Sequence, residues 1–283
     1  MQTITFFPLA LSISISYHIL RATDMTLDGS FVLGAVIFAK LITSGCSPEL
    51  AMLAAVGGGA LAGLLVALIQ RGGRVDPLLA GVLATFILSS LNLCILVRPN
   101  ISLLQEITLT SAAFEKSEIL GWLLTASYIT CICGLVFWLM TTRIGLNLRA
   151  LGDNPSLLSR LGNNIEMSRI GGFMMTNALA AVSGIFTAQT NGYVDVGMGF
   201  GMTLTGIGAI ILGHQLFSRL RMKNSLRISG ECIAALLGVL LYYFSLNTLL
   251  YLDIEPVYLK MLLGLLLIFF LRTGIKSKQP VTG

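Results

Sequence analysis

The sequence predicts an all-α fold: a polytopic membrane helix bundle of about nine transmembrane or partly re-entrant helices. Of its 283 residues, 55% are hydrophobic and only 11% are charged, and the mean hydropathy is +0.87. An average soluble domain carries about 25% charged residues, so this chain has too little charge to solvate its own surface. These observations exclude a soluble globular enzyme and a disordered chain.

Nine apolar segments follow one another, separated by short polar or Gly/Pro-containing stretches. A helix needs about 20 apolar residues to cross a bilayer. Backbone polar groups in lipid must be satisfied internally, so we predict helices rather than strands. Little chain is left over for a separate domain, and residues 1–283 are expected to form a single transmembrane domain. The segments lie near 4–20, 30–45, 49–69, 77–97, 119–141, 169–190, 202–217, 230–250 and 257–272.

The basic residues predict the orientation of the chain. If the nine segments alternate and the N-terminus lies outside, 14 of the 18 Lys and Arg residues fall on one side. Positive charge accumulates in cytoplasmic loops, so that side, including the C-terminus, is expected to be cytoplasmic. This reading needs no nucleic-acid partner to explain the net charge of +5. The 14 residues are Arg21, Arg71, Arg74, Arg143, Arg149, Arg160, Arg169, Arg219, Arg221, Lys223, Arg227, Arg272, Lys276 and Lys278.

The two largest loops differ in character. The outer loop spans 98–118, and the inner loop spans 142–168. In the inner loop, a turn at 152–155 places Pro155 in the first turn of a short helix. Leu157, Leu158 and Leu161 would share one face, and Gly162 would end the helix. This pattern predicts either a docking element for a cytoplasmic partner or a merely solvated connector.

Two carboxylates interrupt the apolar character between the first two segments. Asp24 and Asp28 are four residues apart and would share a face if the stretch were helical. Ionisable groups near a membrane usually face protein, water or a partner. The stretch therefore either lines a pathway or braces the bundle, or it is a short cytoplasmic turn with helix caps.

Polar side chains also occur within the apolar segments, most densely in the sixth. Single polar groups in spans usually form hydrogen bonds between helices, but this density makes the sixth segment our first candidate for lining a polar pathway. The glycine-rich stretch 193–217 indicates either close helix packing or a broken, re-entrant helix. The pathway candidates are Asp24, Asp28, Asn92, Asn177, Ser183, Thr187 and Gln189.

Several chemical signatures are absent from the sequence. It has no glycine-rich phosphate loop ending in Gly-Lys-Ser/Thr, no His/Cys/carboxylate cluster with metal-ligand spacing and no row of carboxylates in the spans. We therefore expect no metal, no cofactor and no catalytic residue in this chain. Any energy source would lie in another subunit.

Three motifs resemble the permease subunits of ABC importers. They are DMTLDGSFVLGA at 24–35, RALGDNP at 149–155 and the Leu161-Gly162 pair. The resemblance covers essentially the whole chain. It is strongest to the uncharacterised-transporter branch often assigned to tryptophan or tyrosine uptake, which is related to branched-chain amino acid and ribose permeases.

The resemblance implies a set of partners in the bacterial inner membrane. Two permease copies would form a homodimeric pore, and an external solute-binding protein would deliver an amino acid or aromatic compound. Two cytoplasmic ABC ATPases, which bind the ATP and Mg²⁺, would dock on the coupling helix. The alternatives are a stand-alone secondary transporter, a channel or a structural scaffold. The implied coupling residues are Asn154, Pro155, Ser156, Leu157, Leu158, Ser159, Arg160, Leu161 and Gly162.

Overall fold

The computed structural model describes residues 2–73, 75–106, 108, 117–219 and 227–252, with a few positions between 258 and 268. Ten α-helices and two short strands are described in this part of the chain. A π-helical turn, Ile15–Ile19, continues the first helix, and a 3₁₀ turn, Arg71–Gly73, follows the third. The elements are α1 (Gln2–Ser14), α2 (Thr26–Thr43), α3 (Pro48–Ile69), α4 (Pro77–Leu96), β1 (Asn100–Ser102), α5 (Glu118–Thr141), α6 (Arg143–Asp153), α7 (Pro155–Arg160), α8 (Ile165–Asn191), β2 (Tyr193–Asp195), α9 (Met202–Arg219) and α10 (Arg227–Tyr251).

Six helices within the described residues are long and apolar enough to cross a membrane, and two shorter apolar helices accompany them. These eight helices correspond to the first eight apolar segments of the sequence. The ninth segment, 257–272, the basic loop at 220–226 and the C-terminal tail lie wholly or largely outside the described residues. Nine crossings and the orientation of the termini stay predictions.

Two three-residue strands depart from the purely helical prediction. β1 in the outer loop pairs antiparallel with β2, which follows α8, and Ile101 lies opposite Val194. Residues 98–102 and 192–196 are not helical, so their backbone groups need other partners. Pairing the two segments with each other supplies them.

The chain divides into two compact units, residues 1–203 and residues 204–283. Among the long apolar helices of the first unit, α2 and α8 are the most buried. The outer sides of α3, α4 and α5 instead expose large apolar side chains, including Leu53, Phe86 and Leu123. Because apolar residues lie on both sides of these helices, the exposed sides fit contact with lipid.

Glycines allow α8 to approach its neighbours closely. A Cβ at Gly63 of α3 would collide with the Phe173 carbonyl of α8, and a Cβ at Gly34 of α2 would collide with the Ala181 backbone. Close approach at small residues is a common way for helices to associate in membranes. The glycine pattern in α3 therefore marks a contact surface, as its sequence suggests.

The second unit contains most of α9 and all of α10. A Cβ at Gly213 would meet the Ala234 carbonyl, and a Cβ at Gly238 would meet the Ala209 carbonyl. The two helices thus approach at two small-residue positions. The close-packing prediction for the glycine-rich seventh segment is confirmed at Gly213.

Candidate functional site

The break between α1 and α2 brings a buried carboxyl group to the side of α8. Asp24 is 2% exposed, and its Oδ1 accepts a hydrogen bond from the Thr26 backbone N–H at 2.9 Å. Its Oδ2 accepts one from Asn177 Nδ2 at 2.9 Å. Asn177 lies near the middle of α8, so α2 begins deep beside α8. Asp24 is therefore a bracing group and not part of an exposed turn.

Asn177 connects the break, α2 and its own helix. Its Nδ2 also donates to the Phe173 carbonyl at 2.9 Å, and its Oδ1 accepts from Ser30 Oγ at 2.6 Å. Asn177 and Ser30 are fully buried. Buried polar groups are costly unless they are hydrogen-bonded, and these bonds satisfy them. We call Asp24, Thr26, Ser30 and Asn177 the buried network.

Asp28 has different partners from Asp24. Its Oδ2 accepts from the Gly201 backbone N–H at 3.0 Å, and its Oδ1 accepts from Thr203 N–H and Oγ1, each at 2.6 Å. Because α2 begins only at Thr26, Asp24 precedes the helix. The condition for a shared helical face, that the stretch from Asp24 to Asp28 be helical, is therefore not met.

The carboxylate of Asp28 accepts hydrogen bonds from two backbone N–H groups at the start of α9, those of Gly201 and Thr203. The first N–H groups of a helix lack partners within it, and a negative charge there is favourable. Residues 196–201, between β2 and α9, form turns rather than helix. Non-helical backbone in a membrane protein needs partners from protein or water, and Asp28 supplies one of them, to the Gly201 N–H. The interrupted geometry agrees with the broken-helix alternative for 193–217.

The other pathway candidates are spread along α4 and α8. Asn92 is buried and donates from Nδ2 to the Gly29 carbonyl at 3.3 Å. Ser183 is buried and donates to the Thr5 carbonyl at 2.6 Å, whereas Thr187 is half-buried and donates to the Ser183 carbonyl at 2.8 Å. Gln189 is also half-buried. Their contact with a solute stays a prediction.

Sequence reasoning missed the partners of these residues. Ser30 lies within the apolar helix α2 and Thr203 at the start of α9, and nothing near either residue in the sequence marks it as the partner of a particular group. Thr85 was not singled out, yet its Oγ1 donates to the Met25 carbonyl at 2.8 Å. Polar residues near an interrupted segment were the available signal, but pairing residues that are 60 to 175 positions apart requires the fold.

The inner loop forms two helices rather than one. α6 is amphipathic and buries Leu148 and Leu151, and α7 begins at Pro155 as the sequence predicts. Ser156 Oγ donates to Asn154 Oδ1 at 2.6 Å. The sequence suggested a helical pattern for the whole loop but located only the second helix.

The prediction that three leucines share one face of α7 is wrong in part. Leu158 is fully buried, but Leu161 is 65% exposed, because α7 ends at Arg160 and Gly162 turns the chain with φ of +77°. The Leu157 side chain lies outside those described. The exposed residues of the predicted coupling segment are Asn154, Pro155, Ser156, Ser159, Arg160, Leu161 and Gly162.

The inner loop contacts the chain just after the first helix; we call its residues 152–162 the inner segment. Arg21 and Asp153 form an ion pair, with Nη2 and Oδ1 2.7 Å apart. One residue earlier, a Cβ at Gly152 would collide with the Ile19 carbonyl. The pairing of β1 with β2 joins two other segments. The predicted topology places both partners of the ion pair on the inner side of the membrane and both strands on the outer side.

Among the described residues, no group of three or more His, Cys, Asp or Glu side chains is arranged to hold a metal ion. The features that define the protein are instead its apolar helices, the interrupted segments held by the carboxylates of Asp24 and Asp28, and the inner helical loop. These are properties of a multi-pass membrane permease.

The family model described as "Branched-chain amino acid transport system / permease component" matches residues 1–271. The chain belongs to this family of transport permeases. An uncharacterised protein of Rickettsia prowazekii is 42% identical over 278 residues, which cover 98% of this chain and 96% of that protein. No solved structure matches the chain.

Two transport proteins are also similar to the chain. A tyrosine transport system permease protein of Clostridioides difficile is 33% identical over 273 residues, covering 96% of this chain and 89% of that protein. An autoinducer 2 import system permease protein of Salmonella typhimurium is 30% identical over 131 residues, covering 46% of this chain and 34% of that protein. The resemblance to permeases drawn from the sequence is confirmed.

Proposed function

We propose that this permease is the membrane subunit of an ABC importer in the bacterial inner membrane. An external binding protein delivers a small organic solute, an amino acid or an aromatic compound, and a separate ATPase dimer binds ATP and Mg²⁺ and drives translocation. The similarity to a tyrosine transport permease over 96% of the chain supports this solute class. The observation that carries the proposal is an exposed short helix, α7, in the segment that joins two long apolar helices, α5 and α8.

The contacts of the inner segment support a route for coupling. α7 is held to the protein by buried Leu158, and the preceding Asp153 pairs with Arg21. Three residues beyond Arg21 lies Asp24, which is bonded to Asn177 in the middle of α8. A displacement of α7 by a docked ATPase would therefore reach the buried network through the break between α1 and α2.

The buried polar candidates do not form an open polar channel within the single chain. Asp24, Asn92, Asn177 and Ser183 are all at most 2% exposed in the single chain. Polar groups that are enclosed by their own chain do not line an open channel within it. A homodimer with the pathway at the contact between copies is consistent with this arrangement.

The coupling proposal is tested with the permease, its ATPase and its binding protein reconstituted in vesicles. Arg160 is exposed on α7, so Arg160→Glu should change docking without disturbing the core. We expect loss of both solute-stimulated ATP hydrolysis and uptake. Arg71→Glu, at an exposed position after α3, is the matched charge-reversal control and should retain both.

Two outcomes would overturn the proposal. If Arg160→Glu and a helix-breaking Leu158→Pro variant that still inserts both sustain coupled uptake, α7 is not the docking element. If the purified chain transports solute under an ion gradient with no ATPase present, the protein is a stand-alone secondary transporter.

The orientation is tested by labelling intact cells with a membrane-impermeant thiol reagent. Cys46 is exposed in the loop between α2 and α3, which the predicted topology places outside. We expect Cys46 to react from outside and a cysteine introduced at Ser159 to be protected. Labelling of the Ser159→Cys variant in a Cys46→Ser background would reverse the assigned topology.

A further inference from the structure

A cavity of about 510 Å³ lies beside the inner segment. It is enclosed by the break between α1 and α2, the turn after α3, the start of α4, the junction of α6 and α7, and the first half of α8. Small-molecule sites commonly have volumes of about 300–1,000 Å³. Its apolar walls include Leu20, Val75, Pro77, Leu151 and Phe173.

One buried polar group that lines this cavity has no partner within the described part of the chain. Gln70 is 3% exposed, and its Nε2 has no hydrogen-bond partner among the described residues. A buried amide N–H that lacks a partner is destabilising, so native proteins rarely leave one unpaired. Gln70 lines the cavity, and a ligand there could accept its N–H.

The cavity also carries charges of both signs. Arg169 is a half-buried lining residue, and Asp76 lies exposed at the edge. Arg21 also lines the cavity, but its charge is matched by Asp153 at 2.7 Å. Asp76 Oδ1 accepts from the Leu78 backbone N–H at 2.9 Å and caps α4. The second oxygen of a carboxylate can still accept from an ammonium group.

We propose that this cavity binds a small zwitterion, with Gln70 and Arg169 receiving its anionic group and Asp76 receiving its ammonium group. A guanidinium and an amide donor fit a carboxylate or phosphate. Asp76 disfavours a ligand that is only anionic. The apolar walls accommodate an uncharged body between or beside the two charges.

Two sources supply this chemistry. A free α-amino acid could enter from the solution on the side of the inner segment, and the head group of phosphatidylethanolamine could enter from the lipid. The inference requires only the permease chain and does not rest on coupling to an ATPase. Failure of binding would therefore leave the proposed transport function standing, and failure of coupling would leave this site standing.

The test uses the full-length chain in nanodiscs made of phosphatidylglycerol, a lipid without an ammonium group. L-leucine, L-tyrosine and acetate are titrated by calorimetry. In parallel, nanodiscs of increasing phosphatidylethanolamine content are examined by native mass spectrometry for retained lipid. We expect one site per chain for an amino acid or for phosphatidylethanolamine, and at least about tenfold weaker binding of acetate.

Four variants separate the site from general effects. Gln70→Leu removes an unpaired donor, so the chain should fold as well as the parent. Asp76→Asn keeps a good N-cap residue while removing the negative charge. Gln70→Leu, Arg169→Gln and Asp76→Asn should each weaken zwitterion binding by about tenfold or more. Arg71→Gln, one residue from Gln70 but outside the lining, should bind normally.

The outcomes are decisive in each direction. An amino acid that binds with this variant pattern supports a solution ligand, and phosphatidylethanolamine retained with the same pattern supports a lipid ligand. If acetate binds as tightly as leucine and Asp76→Asn binds leucine as well as the parent does, the cavity is an anion site and the zwitterion proposal is wrong. Binding unaffected by both Gln70→Leu and Arg169→Gln, or no binding of any probe, would overturn the site.

Discussion

Asp28 accepts two hydrogen bonds from Thr203 on a single carboxylate oxygen, one from the backbone N–H and one from the hydroxyl, each at 2.6 Å. Asp28 itself lies in the first turn of α2, and Thr203 lies in the first turn of α9. One carboxylate is therefore close to the N-terminal ends of two helices, where negative charge is stabilised. This arrangement fixes an interrupted segment without a continuous helix.

Removal of the Asp28 carboxylate should destabilise the protein substantially. Hydrogen bonds to charged groups contribute about 1.5–3 kcal/mol each, so we expect Asp28→Ala to lower the midpoint of thermal unfolding in detergent strongly. Asp28→Asn keeps an acceptor oxygen but loses the charge, and its effect should be smaller. Glu49→Gln removes an exposed carboxylate from the first turn of α3 and serves as the control. Equal midpoints for Asp28→Ala and Glu49→Gln would contradict the capping role.

Asn177→Leu should weaken folding as well as transport. The amide of Asn177 is hydrogen-bonded to Asp24, Ser30 and Phe173. Loss of these partners leaves buried polar groups unsatisfied at a cost of about 1–3 kcal/mol each. The measurement is thermal unfolding together with the yield of the monodisperse protein.

The control for this variant is Asn247→Leu on α10, where the parent amide is exposed and bonds only within its own helix. We expect little change there, because no other helix depends on that side chain. If Asn177→Leu is as stable as Asn247→Leu but transport-deficient, Asn177 acts in the pathway and not as a brace. If Asn177→Leu is as stable as Asn247→Leu and also transports solute normally, Asn177 acts neither in the pathway nor as a brace.

The helical architecture could be predicted because lipid allows few backbone arrangements. Apolar runs long enough to span a bilayer must satisfy their own hydrogen bonds, so the first eight segments correspond to helices. Local turn chemistry was also informative: Pro155 begins α7, and Gly162 turns the chain after it. These features depend on residues that are close together in the sequence.

The candidate site was less predictable because it depends on distant pairs. The spacing of Asp24 and Asp28 suggested a shared face, yet Asp24 bonds to Asn177 and Asp28 bonds to Thr203. No local pattern specifies which of several polar residues on α8 or α9 meets each carboxylate. The exposure of Leu161 was also not predicted, because it depends on α7 ending at Arg160.

Two glycines of α3 should respond very differently to the same substitution. A Cβ at Gly63 would collide with the Phe173 carbonyl of α8, whereas a Cβ at Gly57 meets nothing within 4 Å. Overpacking costs about 1–3 kcal/mol, so Gly63→Ala should lower the unfolding midpoint. Gly57→Ala should leave it equal or raise it, because alanine favours a helix by up to about 1 kcal/mol. Equal midpoints for both variants would mean that α3 and α8 do not approach at Gly63.

The Arg21–Asp153 ion pair should matter for coupling more than for stability. Both side chains are about half exposed, and exposed pairs contribute roughly 0–1 kcal/mol, so reversing either charge should shift the unfolding midpoint little. Arg21→Asp is compatible with the left-handed backbone at Arg21, φ of +52°, because aspartate is enriched in that region. We expect Arg21→Asp and Asp153→Arg each to reduce uptake in reconstituted vesicles.

The exchanged double variant, Arg21→Asp with Asp153→Arg, tests whether the attraction itself is the cause. It restores opposite charges across the same gap, so uptake should recover above that of either single variant while the midpoint stays near the parent's. A double-mutant cycle on the uptake rate isolates the pair from each residue's other contacts. Additive losses, with no recovery in the double variant, would mean that the pair does not connect the inner segment to the break before α2.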